Sequence, residues 1–220
     1  TAGGLINSIG LANVGVEKFI LEKLPLLKTF NTVIIVNVAG SSVDEYSQII
    51  KRLEQVEGID AYEINVSCPN VKEGGLAFGT DVQAVARITA EVRKVTSKPI
   101  ILKLTPNVTK VSEFARAAEN EGADAVSLIN TLVGMAINLK TRQPKISTVT
   151  GGLSGPAIKP IALAKVFEAV KAVKIPVIGI GGIFTSDDAL EFLIAGAQAV
   201  EIGTANFIDP ASATKIAEGI

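Results

Sequence analysis

The chain has 220 residues, 48% of them hydrophobic and 20% charged, which is enough to bury one substantial core. Its 21 basic and 22 acidic residues nearly cancel, and this argues against nucleic acid or an anionic membrane as the main partner. Because no apolar run is long enough to span a bilayer, no signal peptide opens the sequence and a single cysteine cannot form an internal disulfide, we expect a cytoplasmic protein.

Strands and helices alternate from one end of the sequence to the other. After a loop-like start, we predict strands near residues 33–38, 61–66, 99–104, 124–129, 176–180 and 198–202. We predict helices at 42–58, 80–95, 109–120, 159–173 and 186–195, and another that begins near Pro210. The first of these helices opens with a capping box, Ser42-Val-Asp-Glu45.

Three similar segments begin at Gly58, Gly122 and Gly196, where a helix is expected to end and a strand to follow. Strands of a second kind, rich in β-branched residues, lie between these segments. Small apolar strands can resemble each other by chance, but two alternating kinds suit a barrel whose inner layers draw on alternate strands. We therefore predict the α/β class and a single (β/α)8 TIM-barrel domain, 1–220, truncated at both ends. About six of its eight strands are present, and two are missing from the N-terminal side.

Polar residues and glycines recur at the carboxyl ends of the predicted strands, where barrel enzymes place their active sites. They are Asn37, Asn65, Ser67, Cys68, Lys103, Thr105, Asn130, Thr131, Gly181, Gly182, Gly203 and Thr204. A single asparagine there would be expected to cap a loop. Several asparagines together with a lysine and a cysteine indicate a shared pocket, to which the loop at residues 7–11 adds further polar groups.

The glycines after the last two strands suit a phosphate site, because backbone N–H groups can approach the anion closely there. Ordinary turns are the alternative interpretation. A third glycine-rich loop is predicted at residues 151–155, before the helix that starts near Lys159.

Histidine is absent, which excludes Ser-His-Asp and Cys-His catalysis and His-ligated metals, and we expect no metal site. Cys68 is the best candidate for proton transfer, although a lone cysteine is commonly an inert buried thiol. Lys103 either pairs with a buried carboxylate, such as Glu63 or Glu201, or stabilises anionic charge on a cofactor.

Five blocks of sequence, at residues 7–13, 65–75, 129–136, 151–160 and 202–207, carry a family resemblance. The second reads Asn-Val-Ser-Cys-Pro-Asn-Val-Lys-Glu-Gly-Gly. In this order the blocks resemble class 1 dihydroorotate dehydrogenase, and the second to fourth blocks resemble its NAD-linked class 1B. The first two strands of that family, with a lysine that touches FMN and substrate, have no counterpart here.

The resemblance implies an FMN-dependent barrel enzyme that oxidises (S)-dihydroorotate to orotate in pyrimidine synthesis. By position, Cys68 would remove the C5 proton while hydride leaves C6 for the flavin. Substrate would contact Asn7, Ser8, Ile9, Gly10, Leu11, Asn65, Asn130 and Thr131. FMN would contact Asn37, Asn65, Lys103, Ile129, Gly155, Gly181, Gly182, Gly203 and Thr204.

The resemblance also implies a homodimer whose electrons reach NAD through a second subunit that carries FAD and a [2Fe–2S] cluster. Two alternatives stay open. One is another FMN barrel, such as the pyrimidine-reducing domain of dihydropyrimidine dehydrogenase or a dihydrouridine synthase. The other is a non-catalytic barrel remnant that binds flavin or a partner, which the retention of Cys68 and Lys103 disfavours.

Overall fold

In the computed structural model, which describes residues 1, 3–67 and 78–220, strands and helices alternate along the chain. The strands are β1 (Leu5–Asn7), β2 (Ile35–Val38), β3 (Ala61–Asn65), β4 (Ile100–Leu104), β5 (Ala125–Leu128), β6 (Leu132–Met135), β7 (Ile137–Asn138), β8 (Gln143–Pro144), β9 (Thr150–Ser154), β10 (Val177–Ile180) and β11 (Ala199–Glu201). The α-helices are α1 (Val16–Lys18), α2 (Leu24–Leu27), α3 (Val43–Leu53), α4 (Val82–Arg93), α5 (Val111–Asn120), α6 (Lys159–Val170), α7 (Ser186–Ile194) and α8 (Ser212–Glu218). A π-helix spans Phe19–Lys23, and 3-10 turns span Phe78–Thr80, Pro156–Ile158 and Thr204–Phe207.

The described residues form two compact units, and the chain passes between them several times. The first unit consists of Thr1–Ile9, Thr105–Ser112 and Ser127–Ile220, and the second of Gly10–Leu104 and Glu113–Val126. Strand β5 begins in the second unit and ends in the first. No helix in the described ranges is both long and apolar enough to cross a membrane.

The second unit is built on parallel strands. β2 pairs with β3 and β3 with β4, in a register that sets Asn37 opposite Glu63 and Asn65 opposite Lys103. Every residue of β3 is buried, as expected for a strand covered on both faces. The start of β5 lies beside β4, because the backbone N–H of Asp124 donates to the carbonyl of Ile100 at 2.9 Å.

Helices α3 and α4 bury one stripe each in this unit. In α3 the buried stripe includes Tyr46, Ile50 and Leu53, spaced at helical intervals. Only one half of the capping box predicted at the start of α3 is formed. The Ser42 hydroxyl accepts from the N–H of Glu45 at 3.2 Å, as a capping box requires. The Glu45 carboxylate accepts instead from the N–H of Ser41 at 2.6 Å.

The first unit combines parallel and antiparallel strands. β10 and β11 are parallel, and the N–H of Ile129, directly after β5, donates to the carbonyl of Ile180 at 2.9 Å. Helix α7 begins with a complete capping box between Thr185 and Asp188. β1, β9 and β6 form an antiparallel sheet with β9 in the middle, and β7 pairs with β8.

Six strands, β2 to β5, β10 and β11, match the six predicted ones to within two residues at each end, and the α/β class is confirmed. The helices predicted to start at residue 109 and to end at residue 173 are shorter, at Val111–Asn120 and Lys159–Val170. Gly58, Gly122 and Gly196 adopt φ angles of 93°, 91° and 105°, as expected where a helix ends and a strand follows.

The loop predicted at residues 7–11 is confirmed for residues 8–11, whereas Asn7 belongs to the strand Leu5–Asn7. The loop predicted at residues 151–155 is wrong, because Thr150–Ser154 is a strand. Glycine allows this pairing, since a Cβ at Gly151 would lie 2.4 Å from the carbonyl oxygen of Asn7. A strand with two adjacent glycines carries no alternating pattern of apolar side chains, and this is why the sequence did not reveal it.

Candidate functional site

Four polar side chains of the second unit share one face at the carboxyl ends of β2, β3 and β4. They are Asn37, Glu63, Asn65 and Lys103. The register sets Asn37 opposite Glu63 and Asn65 opposite Lys103. Side chains two residues apart on a strand point to the same face, so Glu63 and Asn65 lie on one side of β3. Three of the four residues were predicted to bind the cofactor, and the structure brings them together.

The Glu63 carboxylate connects this group. The Lys103 ammonium donates to its two oxygens at 3.2 and 3.1 Å, and the Asn37 amide donates to the same carboxylate. Glu63 is only 6% exposed, so its charge depends on these partners. Of the two interpretations of Lys103, pairing with Glu63 is therefore observed, and stabilisation of a bound anion stays a prediction.

Asn65 organises the backbone that leads into Cys68. Its carbonyl accepts from the hydroxyl of the fully buried Tyr46 at 2.8 Å, and its side-chain oxygen accepts from the N–H of Ser67 at 3.2 Å. The Ser67 hydroxyl donates to the carbonyl of Lys103 at 3.3 Å. Cys68 lies outside the described residues, so its role as the base stays a prediction.

A second carboxylate of this unit lies on the other side of β3. Glu54 accepts from the hydroxyls of Tyr62 and Thr96 at 2.7 and 2.8 Å, and Lys98 lies 3.5 Å away. Burial would raise the pKa of Glu54, but these hydrogen bonds and the lysine charge bring that pKa below its usual value. Because Tyr62 precedes Glu63 on the strand, this group faces away from the cluster around Lys103.

The predicted substrate loop is divided between the two units. Asn7, Ser8 and Ile9 belong to the first unit, whereas Gly10 and Leu11 belong to the second. Asn7 is the last residue of β1, opposite Gly152 of β9, and its side-chain oxygen accepts from the N–H of Ile9 at 3.4 Å.

In the first unit, the predicted cofactor glycines pack closely together. A Cβ at Gly182 would lie 2.9 Å from the carbonyl oxygen of Gly155 and 2.9 Å from the backbone nitrogen of Lys159. A Cβ at Gly181 would lie 3.3 Å from the side chain of Ile129. Gly182 also has a φ of 76°, which favours glycine, so no other residue fits there without strain.

Gly203 differs from these glycines because space is open around it. It precedes the 3-10 turn Thr204–Phe207, and a Cβ built on it would meet nothing within 4 Å. The Thr204 hydroxyl donates to the Ser154 hydroxyl at 2.8 Å, which ties this turn to the end of β9. Open space beside backbone N–H groups at the start of a turn suits a phosphate group.

Asn130 and Thr131 are held by a residue that the sequence did not single out. The Asn130 side chain accepts from the N–H of Thr131 at 2.7 Å. Asn107 donates to the carbonyl of Thr131 at 3.0 Å and accepts from the N–H of Val133 at 3.0 Å. It thereby fixes the segment between β5 and β6. An exposed asparagine after a strand gives no sequence signal of such a long-range contact.

If the residues bind the pyrimidine that the sequence resemblance implies, replacing Asn107 with alanine is expected to weaken orotate binding by up to about 30-fold without changing flavin content. The two hydrogen bonds to the 131–133 segment are worth roughly 1 kcal/mol each, and their loss loosens that segment. Flavin-monitored orotate titration measures the effect. Asn138→Ala is the matched control, because Asn138 accepts only from its own turn, from the N–H groups of Lys140 and Thr141. Equal affinities in both variants would contradict the assignment.

Each unit, taken by itself, presents polar groups that could hold part of a ligand. The second unit presents a lysine cation and an asparagine amide beside a carboxylate, and the first presents open backbone at Gly203 and Thr204. These donors fit a planar polar ring and a phosphate, respectively. Within the described residues, no group of three or more His, Cys, Asp or Glu side chains could hold a metal ion.

Comparison with known proteins gives one family. The family model described as dihydroorotate dehydrogenase matches residues 1–220. The catalytic subunit of dihydroorotate dehydrogenase B (NAD(+)) from Geotalea uraniireducens is 56% identical over 220 residues, a match that covers 100% of this chain and 72% of the relative. The subunit of the same name from Thermoanaerobacter sp. strain X514 is also 56% identical, with the same coverage.

A solved structure shares the fold at much lower sequence identity. It is the dihydroorotate dehydrogenase of Eimeria tenella in complex with ferulenol, with a TM-score of 0.81 and 21% identity. The match covers 98% of this chain and 66% of that one. The likeness supports the predicted barrel fold, of which the present chain spans a part.

Proposed function

The chain belongs to the dihydroorotate dehydrogenase family, and on this premise we propose that it oxidises (S)-dihydroorotate to orotate in pyrimidine biosynthesis with bound FMN. The observation that carries the proposal is the match along the whole chain to relatives named as catalytic subunits of the NAD-linked enzyme, which are 56% and 54% identical to it. The resemblance to class 1B drawn from the sequence motifs is thereby confirmed. A flavin is the cofactor that this family implies.

The FMN assignment rests on donors that suit its two ends. Lys103 and the Asn37 amide would face the ring, together with Asn65 and Ile129. Gly182, Gly203 and Thr204 would hold the phosphate, with Gly155 and Gly181 packed beside them. When bound, FMN supplies the hydride acceptor.

One thiol and several amide groups would act directly on the substrate. Cys68 would take the C5 proton, and the charge that builds on the adjacent carbonyl would be stabilised by amide donors such as Asn65 and Asn130. Asn7 to Leu11 and Thr131 would complete the substrate contacts. A thiol with the ordinary pKa of about 8.5 is mostly protonated at neutral pH, so activity is expected to rise with pH.

The assembly is proposed on the same basis. The name shared by the relatives, a catalytic subunit of an NAD(+)-linked enzyme, supports a second subunit that passes electrons onward. The resemblance to class 1B implies FAD and a [2Fe–2S] cluster on that subunit, and the single cysteine of this sequence, which cannot ligate a cluster, agrees with that proposal. The present chain would form one FMN-binding barrel domain in a homodimer located in the cytoplasm, without nucleic-acid or membrane partners.

Reduction of NAD is expected to require the second subunit. The isolated FMN-loaded catalytic subunit should oxidise dihydroorotate with artificial dyes, but should reduce NAD only after the FAD-containing subunit is added. Steady-state assays with and without that subunit measure this, with dihydrouracil as the control substrate. Rapid NAD reduction by the catalytic subunit alone would contradict the assembly. Efficient fumarate reduction would indicate the fumarate-linked class 1A of this family in place of the NAD-linked class 1B.

A further inference from the structure

We propose that Glu63 is a positioning residue for the flavin. It fixes the ammonium of Lys103 and the amide of Asn37, and it sets how much of the lysine charge acts on the cofactor. This inference rests on the proposed FMN site and adds to it a residue that was considered above only as a structural partner of Lys103.

Glu63 lies between the two donors and contacts both. Glu63 is the only one of the three residues that touches both others in the described structure: Lys103 donates to it at 3.1 and 3.2 Å, and Asn37 donates to it from the neighbouring strand. A carboxylate accepts at both oxygens and donates nothing, so it can receive an ammonium and an amide at once. Without this carboxylate, the Lys103 ammonium and the Asn37 amide would lose the acceptor that they share.

Glu63 and Lys103 also form an ion pair that is largely shielded from water. The Glu63 side chain is 8% exposed and the Lys103 side chain 17%, so water screens the pair poorly. Neutralising the carboxylate would remove the negative charge that the Lys103 ammonium contacts at 3.1 and 3.2 Å, and the surroundings of the proposed ring site would become more positive. Reduction of a flavin adds negative charge, which more positive surroundings stabilise more strongly. The Glu63 carboxylate therefore lowers the flavin potential.

The decisive experiment measures the two-electron midpoint potential of FMN bound to the holoenzyme with Glu63→Gln. Glutamine keeps the shape of the side chain and removes its charge. The equilibrium should shift about tenfold toward reduced flavin, which corresponds to roughly 30 mV for a two-electron couple. Lys103→Met should shift it in the opposite direction. An unchanged potential in folded, FMN-loaded Glu63→Gln would overturn the inference.

Glu54→Gln is the matched control. It neutralises a different carboxylate, which lies on the opposite side of β3. The ammonium of Lys98 is 3.5 Å from that carboxylate. It should lower the unfolding temperature and leave the flavin potential unchanged. Equal shifts of potential in the two glutamine variants would overturn a specific role for Glu63.

Glu63→Asp covers the case in which Glu63→Gln does not fold. Aspartate keeps the negative charge, but its side chain is one methylene shorter and should hold Lys103 and Asn37 less firmly. FMN should therefore dissociate several-fold faster, while its midpoint potential stays near the wild-type value. Unchanged FMN dissociation from a folded Glu63→Asp would then count against positioning. Wild-type protein that binds no FMN, or whose FMN dihydroorotate does not reduce, would instead refute the proposed function itself.

Discussion

Replacing Cys68 with serine is expected to slow the reduction of bound FMN by dihydroorotate at least about 100-fold at neutral pH. A positioned proton-transfer group contributes roughly 10²- to 10⁴-fold. Cysteine can supply a thiolate base near neutral pH, whereas a serine hydroxyl does not ionise in that range. Anaerobic stopped-flow absorbance measures the bleaching rate across the pH range in which the thiol ionises.

The orotate affinity of the same variant is the control, because serine and cysteine are similar in size. It should change only slightly while the rate falls. A variant that keeps the wild-type rate at neutral pH would show that another group takes the C5 proton. Within this sequence, which contains no histidine, the remaining candidates would be lysines, carboxyl groups and tyrosines.

Replacing Gly203 with aspartate is expected to weaken FMN binding by about 100-fold or more. A carboxylate placed against a phosphate costs several kcal/mol, and each 1.4 kcal/mol corresponds to about tenfold in affinity. The flavin content of the purified protein and fluorescence titration of the apoprotein measure the loss.

Gly203→Ala separates charge from bulk at this position. A Cβ there meets nothing within 4 Å, so alanine should add no clash and should lose far less affinity than aspartate. Equal FMN contents in the two variants would place the phosphate elsewhere. Gly182 could not serve for this comparison, because a Cβ there would meet the backbone at 2.9 Å.

The main strands were predictable because each is a short apolar run bounded by a glycine or proline. Such runs identify buried parallel strands whatever their neighbours are, and β3 to β5 and β10 follow this pattern. The antiparallel sheet of β1, β9 and β6 was not predictable. Its pairing depends on close approach to two glycines, to Gly151 by the carbonyl of Asn7 and to Gly152 by the side chain of Thr131, and this leaves no pattern of side chains in the sequence.

The chemistry of the site was predictable by residue type and position, but its connections were not. Lys103 within an apolar strand indicated either a buried partner or an anionic ligand. Only the register of β3 against β2 and β4 shows that Glu63 serves Asn37 as well. The role of Asn107 likewise depends on contacts with residues 131 and 133, which no local pattern encodes.

Anaerobic titration of the FMN-loaded holoenzyme with (S)-dihydroorotate tests the proposed activity most directly. We predict that the flavin absorbance bleaches in proportion to the dihydroorotate added and that orotate appears in equal amount. Dihydrouracil, which lacks the carboxylate, should leave the flavin oxidised. Bound FMN that stays oxidised in excess dihydroorotate, or that dihydrouracil reduces equally well, would contradict the assignment.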